Sequence, residues 1–250
     1  VPKYATIAFD SASEIARLYF SFDMKKHASN MDAIRAMQNY PGATERLNML
    51  VRRMKDFRDK GIEIVFTAHE DIEKIYARGG AMGKKGEAPP DPVAVKGWPD
   101  IPGKRAPDEF CRAADNVIHV RYVNSKPMWI GRREPIGTGA EYWEVKDRFN
   151  APALQGGLLP PSYQELAKMA LANPLCNWRP PYTWVFYGPF GCGKTRSLLT
   201  FPRPMIIFDL DHGTKVFRED ELKDIEIVSD INSEECDDYP KFVAKLESCL

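Results

Sequence analysis

The chain has 250 residues, with 35 lysines and arginines against 35 aspartates and glutamates, so its formal net charge is zero and its isoelectric point lies near 7. Hydrophobic residues make up 44% and charged residues 28%, a balance that excludes a disordered tail and a protein that holds nucleic acid through bulk positive charge, while leaving room for a local basic patch. No apolar run approaches the ~18 residues of a spanning helix and no leader pattern opens the chain, which predicts a cytoplasmic protein with no membrane partner.

A chain of this length buries roughly 75% of its unfolded surface, enough for one large domain. The five cysteines, Cys111, Cys176, Cys192, Cys236 and Cys249, form no C-x-x-C pair and read as reduced thiols. In chain order, KYATIAFD (3–10) is a short apolar β-prone run ending in an acid. Leu47, Leu50, Val51, Met54 and Phe57 then recur at helical spacing, opposite Arg46, Arg52, Arg53, Lys55 and Arg58, until Gly61 stops the helix. IEIVFTAHE (62–70) follows as a buried strand, completing strand–helix–strand order and predicting a parallel sheet.

Residues 77–108 hold six glycines and six prolines and predict a long, mobile loop. NVIHVRYV (116–123), KPMWIGR (126–132) and EYWEV (141–145) read as antiparallel strands joined by short turns. A Pro/Gly linker spans 151–161, and SYQELAKMAL (162–171) is a short helix opened by Ser162. TWVFY (183–187) is a strand, GPFGCGKT (188–195) a glycine turn, RSLLT a helix start and PMIIFDLD (204–211) a further buried strand. Tyr239, Phe242, Val243, Leu246 and Leu250 give the chain an amphipathic closing helix.

Gly188, Pro189, Phe190, Gly191, Cys192, Gly193, Lys194 and Thr195 satisfy G-x-x-x-x-G-K-[ST]. Glycines let successive backbone N–H groups converge on phosphate oxygens without a Cβ in the way, and the following helix start adds partial positive charge. Lys194 then reaches the β- and γ-phosphates, the Thr195 hydroxyl ligates Mg²⁺, and Arg196 continues the loop, which predicts ATP and Mg²⁺ as cofactors. Asp10, at the end of its strand, fits an acid that holds the Mg²⁺ from outside its first ring of ligands. Asp209 and Asp211 end the strand after the glycine turn, on the same rim of a parallel sheet. Asp211, further out, is the candidate to polarise water, against the alternative of capping the turn before Gly213. His69 ends its strand on that rim and is the candidate to sense the γ-phosphate, against a histidine merely satisfied at a strand end. His27, His119 and His212 have no partner pattern.

Together, GPFGCGKT, IIFDLDHG, YATIAFDSAS and IVFTAHE resemble the ATPase core of RecA-like proteins, most nearly the phage-encoded RecA-like ATPases of the Sak recombinase and single-strand-annealing group. The resemblance implies an α/β fold with a mainly parallel sheet flanked by helices plus an antiparallel hairpin extension. It implies Mg²⁺-dependent ATP hydrolysis acting on single-stranded DNA in phage recombination, annealing or replication, in host cytoplasm. It maps the catalytic acid onto Asp211, the metal-strand acid onto Asp10 and the polar sensor onto His69.

VKDRFN (145–150) is similar to the K-N-R-F-G motif of RadA-type recombinases, so Lys146 and Arg148 become candidates to act on a neighbour's nucleotide, with Asp147 and Asn150 departing from the pattern. A ring or filament of identical copies follows, with a single-strand-binding protein as a further partner. DNA contacts fall to Lys84, Lys85, Lys96, Trp98, Lys104 and Arg105 of the long loop, by stacking and phosphate neutralisation. The motif order is changed: the family begins at the glycine turn, whereas here the Asp10 strand comes first. The resemblance therefore implies one circularly permuted domain: 1–76 metal-acid half, 77–108 mobile loop, 109–150 hairpin region, 151–181 linker joining the old ends, 182–250 glycine-turn half. A window from a longer protein or a shifted numbering gives the same order. Two other functions fit the glycine turn: a nucleotide-dependent switch without DNA, and a phosphotransferase, whose Arg-rich lid the stretch 77–108 lacks.

Overall fold

The computed structural model describes residues 2–27, 40–75, 94–102, 106–133, 142–232 and 238–249. The chain is a mixed α/β protein built on a ten-stranded, mostly parallel sheet flanked by helices. Its elements are β1 (Thr6–Asp10), α1 (Ala12–His27), α2 (Tyr40–Asp59), β2 (Glu63–Ile75), β3 (Ala94–Pro99), α3 (Ala106–Ala113), β4 (Asn116–Val123), β5 (Lys126–Ile130), β6 (Tyr142–Trp143), β7 (Leu158–Leu159), α4 (Tyr163–Ala172), β8 (Thr183–Gly188), α5 (Lys194–Leu198), β9 (Met205–Asp209), β10 (Ile225–Val228) and α6 (Asp238–Glu247).

Six strands run parallel in the order β10-β9-β1-β2-β8-β4, and β5 and β7 extend the sheet antiparallel. The central strands are buried on both faces, which is why they read as continuous apolar runs. Along them side chains alternate between two cores: Ile7, Phe9, Ile64, Phe66, Ile206 and Phe208 enter one, while Ala8, Val65 and Ile207 enter the other. Register then stacks aromatics across strands. Phe9 pairs with Phe66 and Phe208, with ring centroids 4.7 and 5.2 Å apart, and Phe242 of α6 packs edge-on against Phe9.

Gly61, at φ 92°, ends the α2 turn before β2. Just beyond it Glu63 is buried, and burial pushes its carboxyl up. The Tyr163 hydroxyl (2.6 Å), the Tyr182 amide (2.9 Å) and Trp184 Nε1 (2.8 Å) all donate to it, locking the end of the sheet opposite the strand C-termini. Ser162 caps α4 as its spacing predicts, accepting the Glu165 amide. The first and last strand–helix segments meet at Glu226, whose carboxylate takes the Tyr4 hydroxyl, Lys3 Nζ at 3.3 Å and Lys245 Nζ at 2.6 Å.

Several expectations need correction. The stretch 77–108 is not one loop, because β3 and the first residues of α3 lie within it. β2 runs on past the sheet edge, so that Glu70–Ile75 pair antiparallel with β3, and this second ladder makes Ala94–Pro99 a strand despite its glycine and proline. The region 109–150 is not a simple antiparallel set. β4 joins the main sheet parallel to β8, β4 and β5 form a hairpin of the expected kind, and β6 pairs parallel with β3. The linker 151–161 contributes β7, which pairs with β5. The helix Ala12–His27 had no counterpart in the sequence reading; its apolar positions are interrupted by Arg17, Ser21 and Asp23, which blurs the helical period.

Candidate active site

Parallel register brings the chemistry to one rim. Asp10 lies opposite Asp209 on one side, Phe9 opposite Phe66 sets Asp10 beside Thr67 on the other, and His69 lies opposite Gly188. β2 therefore separates the glycine loop from the strand that carries Asp10.

The loop leaves β8 at Gly188, where a Cβ would come within 2.1 Å of the Val120 carbonyl oxygen. Gly191 and Gly193 adopt φ of 75° and 93°, open to glycine at no steric cost. The buried Lys194 donates to the Gly188 and Pro189 carbonyls at 2.9 and 2.8 Å, folding its ammonium into the cradle of its own loop. Cys192 is buried beneath the loop, where burial raises its thiol pKa. Ser197 anchors the start of α5 to the Gly193 carbonyl and accepts Trp129 Nε1 at 3.0 Å. Phe190 stands at the tip, 91% exposed, and the Tyr122 hydroxyl donates to the Gly191 carbonyl at 3.2 Å. Arg196 reaches Glu221 at 2.5 Å.

The acids have different roles. Asp209 accepts the Gly213 amide (2.9 Å), the Thr214 amide (3.2 Å) and the Thr214 hydroxyl, and so clasps the turn Gly213–Val216. Asp211 also takes the Gly213 amide, at 3.0 Å, so the capping alternative is realised too, yet its other oxygen faces His69 Nε2 at 3.9 Å. The His69 ring lies near-parallel to Phe190, with centroids 6.5 Å apart. His69 thus sits between the loop tip and Asp211. Its backbone N–H is tied to Ser13 on α1, and its carbonyl to the Asp100 amide.

Asp10 is 1% exposed. Its Oδ1 takes the Thr67 hydroxyl, while Oδ2 is buried with no hydrogen-bond partner among the described residues. Burial first, and the Asp211 carboxylate second, push its pKa up to about 7, against the hydroxyls of Thr67 and Thr195 that favour the charged form. Burial likewise raises Asp211, with the Gly213 amide opposing and Asp209 adding to the rise.

One position exposes the convergence of these oxygens. A Cβ at Gly213 would meet Asp10 Oδ2 at 2.8 Å, Asp211 Oδ1 at 3.0 Å and Thr195 Oγ1 at 3.0 Å. Asp10, Asp209 and Asp211 also place carboxylate oxygens within 4.8 Å of one another. An orphaned buried carboxylate oxygen among hard oxygen donors fits a small divalent cation such as Mg²⁺. Gly213→Ala is expected to fill this space. It should cut Mg²⁺-dependent nucleotide affinity about ten-fold or more, while far-ultraviolet circular dichroism stays unchanged; titration calorimetry with Mg²⁺ against EDTA checks it.

The remaining predicted residues lie elsewhere. Lys146 bridges to Val117, toward the opposite end of the sheet, and its ammonium donates to the carbonyls of Cys111, Arg112 and Ala114, capping α3. Arg148 pairs there with Asp115 at 2.9 Å. The expectation that Trp98 and Lys96 present a ring and a charge to DNA is not met. Trp98 is 8% exposed, and Lys96 lies over its ring between Asp108 (3.6 Å) and Glu144 (3.5 Å), because the β2–β3 ladder folds this segment onto the body. Lys84, Lys85, Lys104 and Arg105 lie outside the described residues.

Thr67 and Glu221 escaped the sequence reading, and Gly213 entered it only as the turn that Asp211 caps. Thr67 had a signal, a hydroxyl within the otherwise apolar IVFTA run, whereas Glu221 had none. No protein family, no curated protein and no solved structure matches the chain.

Proposed function

We propose that this protein is a RecA-like ATPase that hydrolyses ATP with Mg²⁺ and acts on single-stranded DNA. The observation that carries the reading is the meeting, on one sheet rim, of the glycine loop with Lys194 and Thr195 and the carboxylates of Asp10 and Asp211. Thr195 and Asp10 are the residues to hold Mg²⁺, which supplies Lewis-acid neutralisation of phosphate charge when bound.

The chain's own groups do the rest. Loop amides cradle the phosphates, and Lys194 exchanges the Gly188 and Pro189 carbonyls for phosphate oxygens. Asp211, with one oxygen turned away from its turn, orients and deprotonates the attacking water. His69, between Phe190 and Asp211, feels whether the γ-phosphate is in place. Assembly into a ring or filament is part of the proposal. Of the two candidates to reach a neighbour, Arg148 is the better placed, since it is 60% exposed at its side chain while Lys146 is engaged with three carbonyls.

The test is steady-state ATP hydrolysis with Mg²⁺, with and without single-stranded DNA, alongside Lys194→Ala. Expected are turnover stimulated by DNA and its loss in the variant. Turnover indifferent to DNA favours a phosphotransferase or switch, and full activity of Lys194→Ala removes the loop from the argument.

A further inference from the structure

The β4–β5 hairpin flanks β8 and its glycine loop on the side away from β2. Its two-residue turn, Asn124 and Ser125, takes φ of 50° and 61°, the left-handed values that a tight hairpin turn favours. That turn sets Tyr122 opposite Pro127 and Val120 opposite Trp129, and residues two apart on a strand share a face. All four meet the loop or the helix it opens. The Val120 carbonyl abuts Gly188, a Cβ on Gly193 would lie 3.8 Å from that of Pro127, and Trp129 Nε1 donates to Ser197 at 3.0 Å. The Tyr122 hydroxyl completes the set, donating to the Gly191 carbonyl at 3.2 Å.

That last contact fixes a peptide plane. The carbonyl and the N–H of one trans peptide point opposite ways, so drawing the Gly191 oxygen toward the hairpin turns the Cys192 N–H into the loop. There it donates to the Pro189 carbonyl at 3.4 Å, a long bond, and Lys194 Nζ uses the same oxygen at 2.8 Å. Pro189 thus occupies two donors that a phosphate oxygen would take. Once phosphate displaces it, the Cys192 N–H stays turned inward if the carbonyl behind it is still held. Gly191, at φ 75° and without a Cβ, offers little resistance of its own to a flip of that plane.

We infer that Tyr122 is a positioning residue of the nucleotide site, holding the Gly191–Cys192 peptide with its N–H directed at phosphate. The inference rests on the ATPase reading above and adds to it a residue outside the G-x-x-x-x-G-K-[ST] segment. The hydroxyl acts before chemistry, by setting the loop that receives the phosphates, so its loss weakens binding and spares the hydrolytic step.

The test compares the intact native chain, Tyr122→Phe and Lys194→Ala, each labelled with ¹⁵N-cysteine. Tyr122 is 56% exposed, so Tyr122→Phe takes away the hydroxyl and leaves the core packing alone. Without nucleotide, Tyr122→Phe should shift the Cys192 amide resonance and speed its hydrogen exchange about three-fold or more, while the Cys111 and Cys249 amides stay as they are. With Mg²⁺ and ATP it should raise KM about three-fold or more and hold kcat within about two-fold. A hydroxyl that merely supports the fold would instead lower the melting temperature and leave KM as it was. An unaltered Cys192 amide overturns the tether itself, and faster exchange at unchanged KM overturns its part in phosphate binding. If ATP binds the native chain no better than Lys194→Ala, the nucleotide reading falls and this inference falls with it.

Discussion

Asp211→Asn is expected to leave ATP affinity within about two-fold and to lower turnover by about 10²–10⁴-fold, the range that a positioned general base contributes. The substitution keeps the side chain's shape and the carbonyl oxygen that takes the Gly213 amide, so the turn stays closed. What it removes is the basic oxygen facing His69. Asp209→Asn separates the two acids. Asp209 spends both oxygens on Gly213 and Thr214, so its loss should appear as a lower melting temperature from an opened turn, with turnover falling only as the fold does. If Asp211→Asn turns over normally while Asp209→Asn is dead at full stability, the two roles are exchanged. Pre-steady-state hydrolysis and thermal melts on both variants settle it.

What was legible in the sequence follows from what each signal encodes. Doubly buried parallel strands announce themselves as apolar runs, so KYATIAFD, IEIVFTAHE, TWVFY and PMIIFDLD each contain or overlap an observed strand, and Asp10 and Asp209 fall on one rim because parallel strands end together. The glycine loop was legible because its backbone demands particular residues at fixed spacing.

Features that depend on long-range partners were not legible. Composition in 77–108 says loop, but the outward extension of β2 supplies a ladder to β3 at Ala94–Pro99, and there the local preference loses to the pairing. Trp98 and Lys96 look like a nucleic-acid motif in one dimension. Folding places the ring against the body and the ammonium between Asp108 and Glu144. Lys146 likewise reads as a free charge until α3, fixed by its own packing, presents three carbonyls to it. Asp10 and Asp211 illustrate the converse: both were singled out as strand-end acids, but that Asp10 carries an unpaired oxygen depends on Thr67 satisfying only one of its two.

That oxygen makes Asp10→Asn act on stability and function in opposite directions. In the cation-free protein the Asp10 carboxyl is raised from 3.8 to about 7 by burial and by Asp211, so the folded state holds its proton more tightly than the unfolded chain does. Stability from this group is therefore fullest below about pH 4, falls as pH rises toward 7, and stays low above it. Asparagine does not titrate. It can keep the Thr67 hydroxyl on its oxygen and turn its amide N–H toward the carboxylate of Asp211, removing both the desolvated charge and the repulsion. In EDTA at pH 8 the variant should be more stable than the native chain by roughly 1–3 kcal/mol, and near pH 5 the difference should shrink. Mg²⁺ should raise the native melting temperature at pH 8 and barely at pH 5, because cation and proton compete for the same oxygens. It should leave the variant unmoved, and the variant should lose Mg²⁺-dependent ATP turnover. A buried acid that destabilises the empty protein and is satisfied by a cation is what a binding site under selection for function, rather than for stability, produces. Melts of both proteins across pH 5–8 with and without Mg²⁺ test it: equal stability in EDTA at pH 8, or an undiminished Mg²⁺ response in the variant, would remove Asp10 from the site.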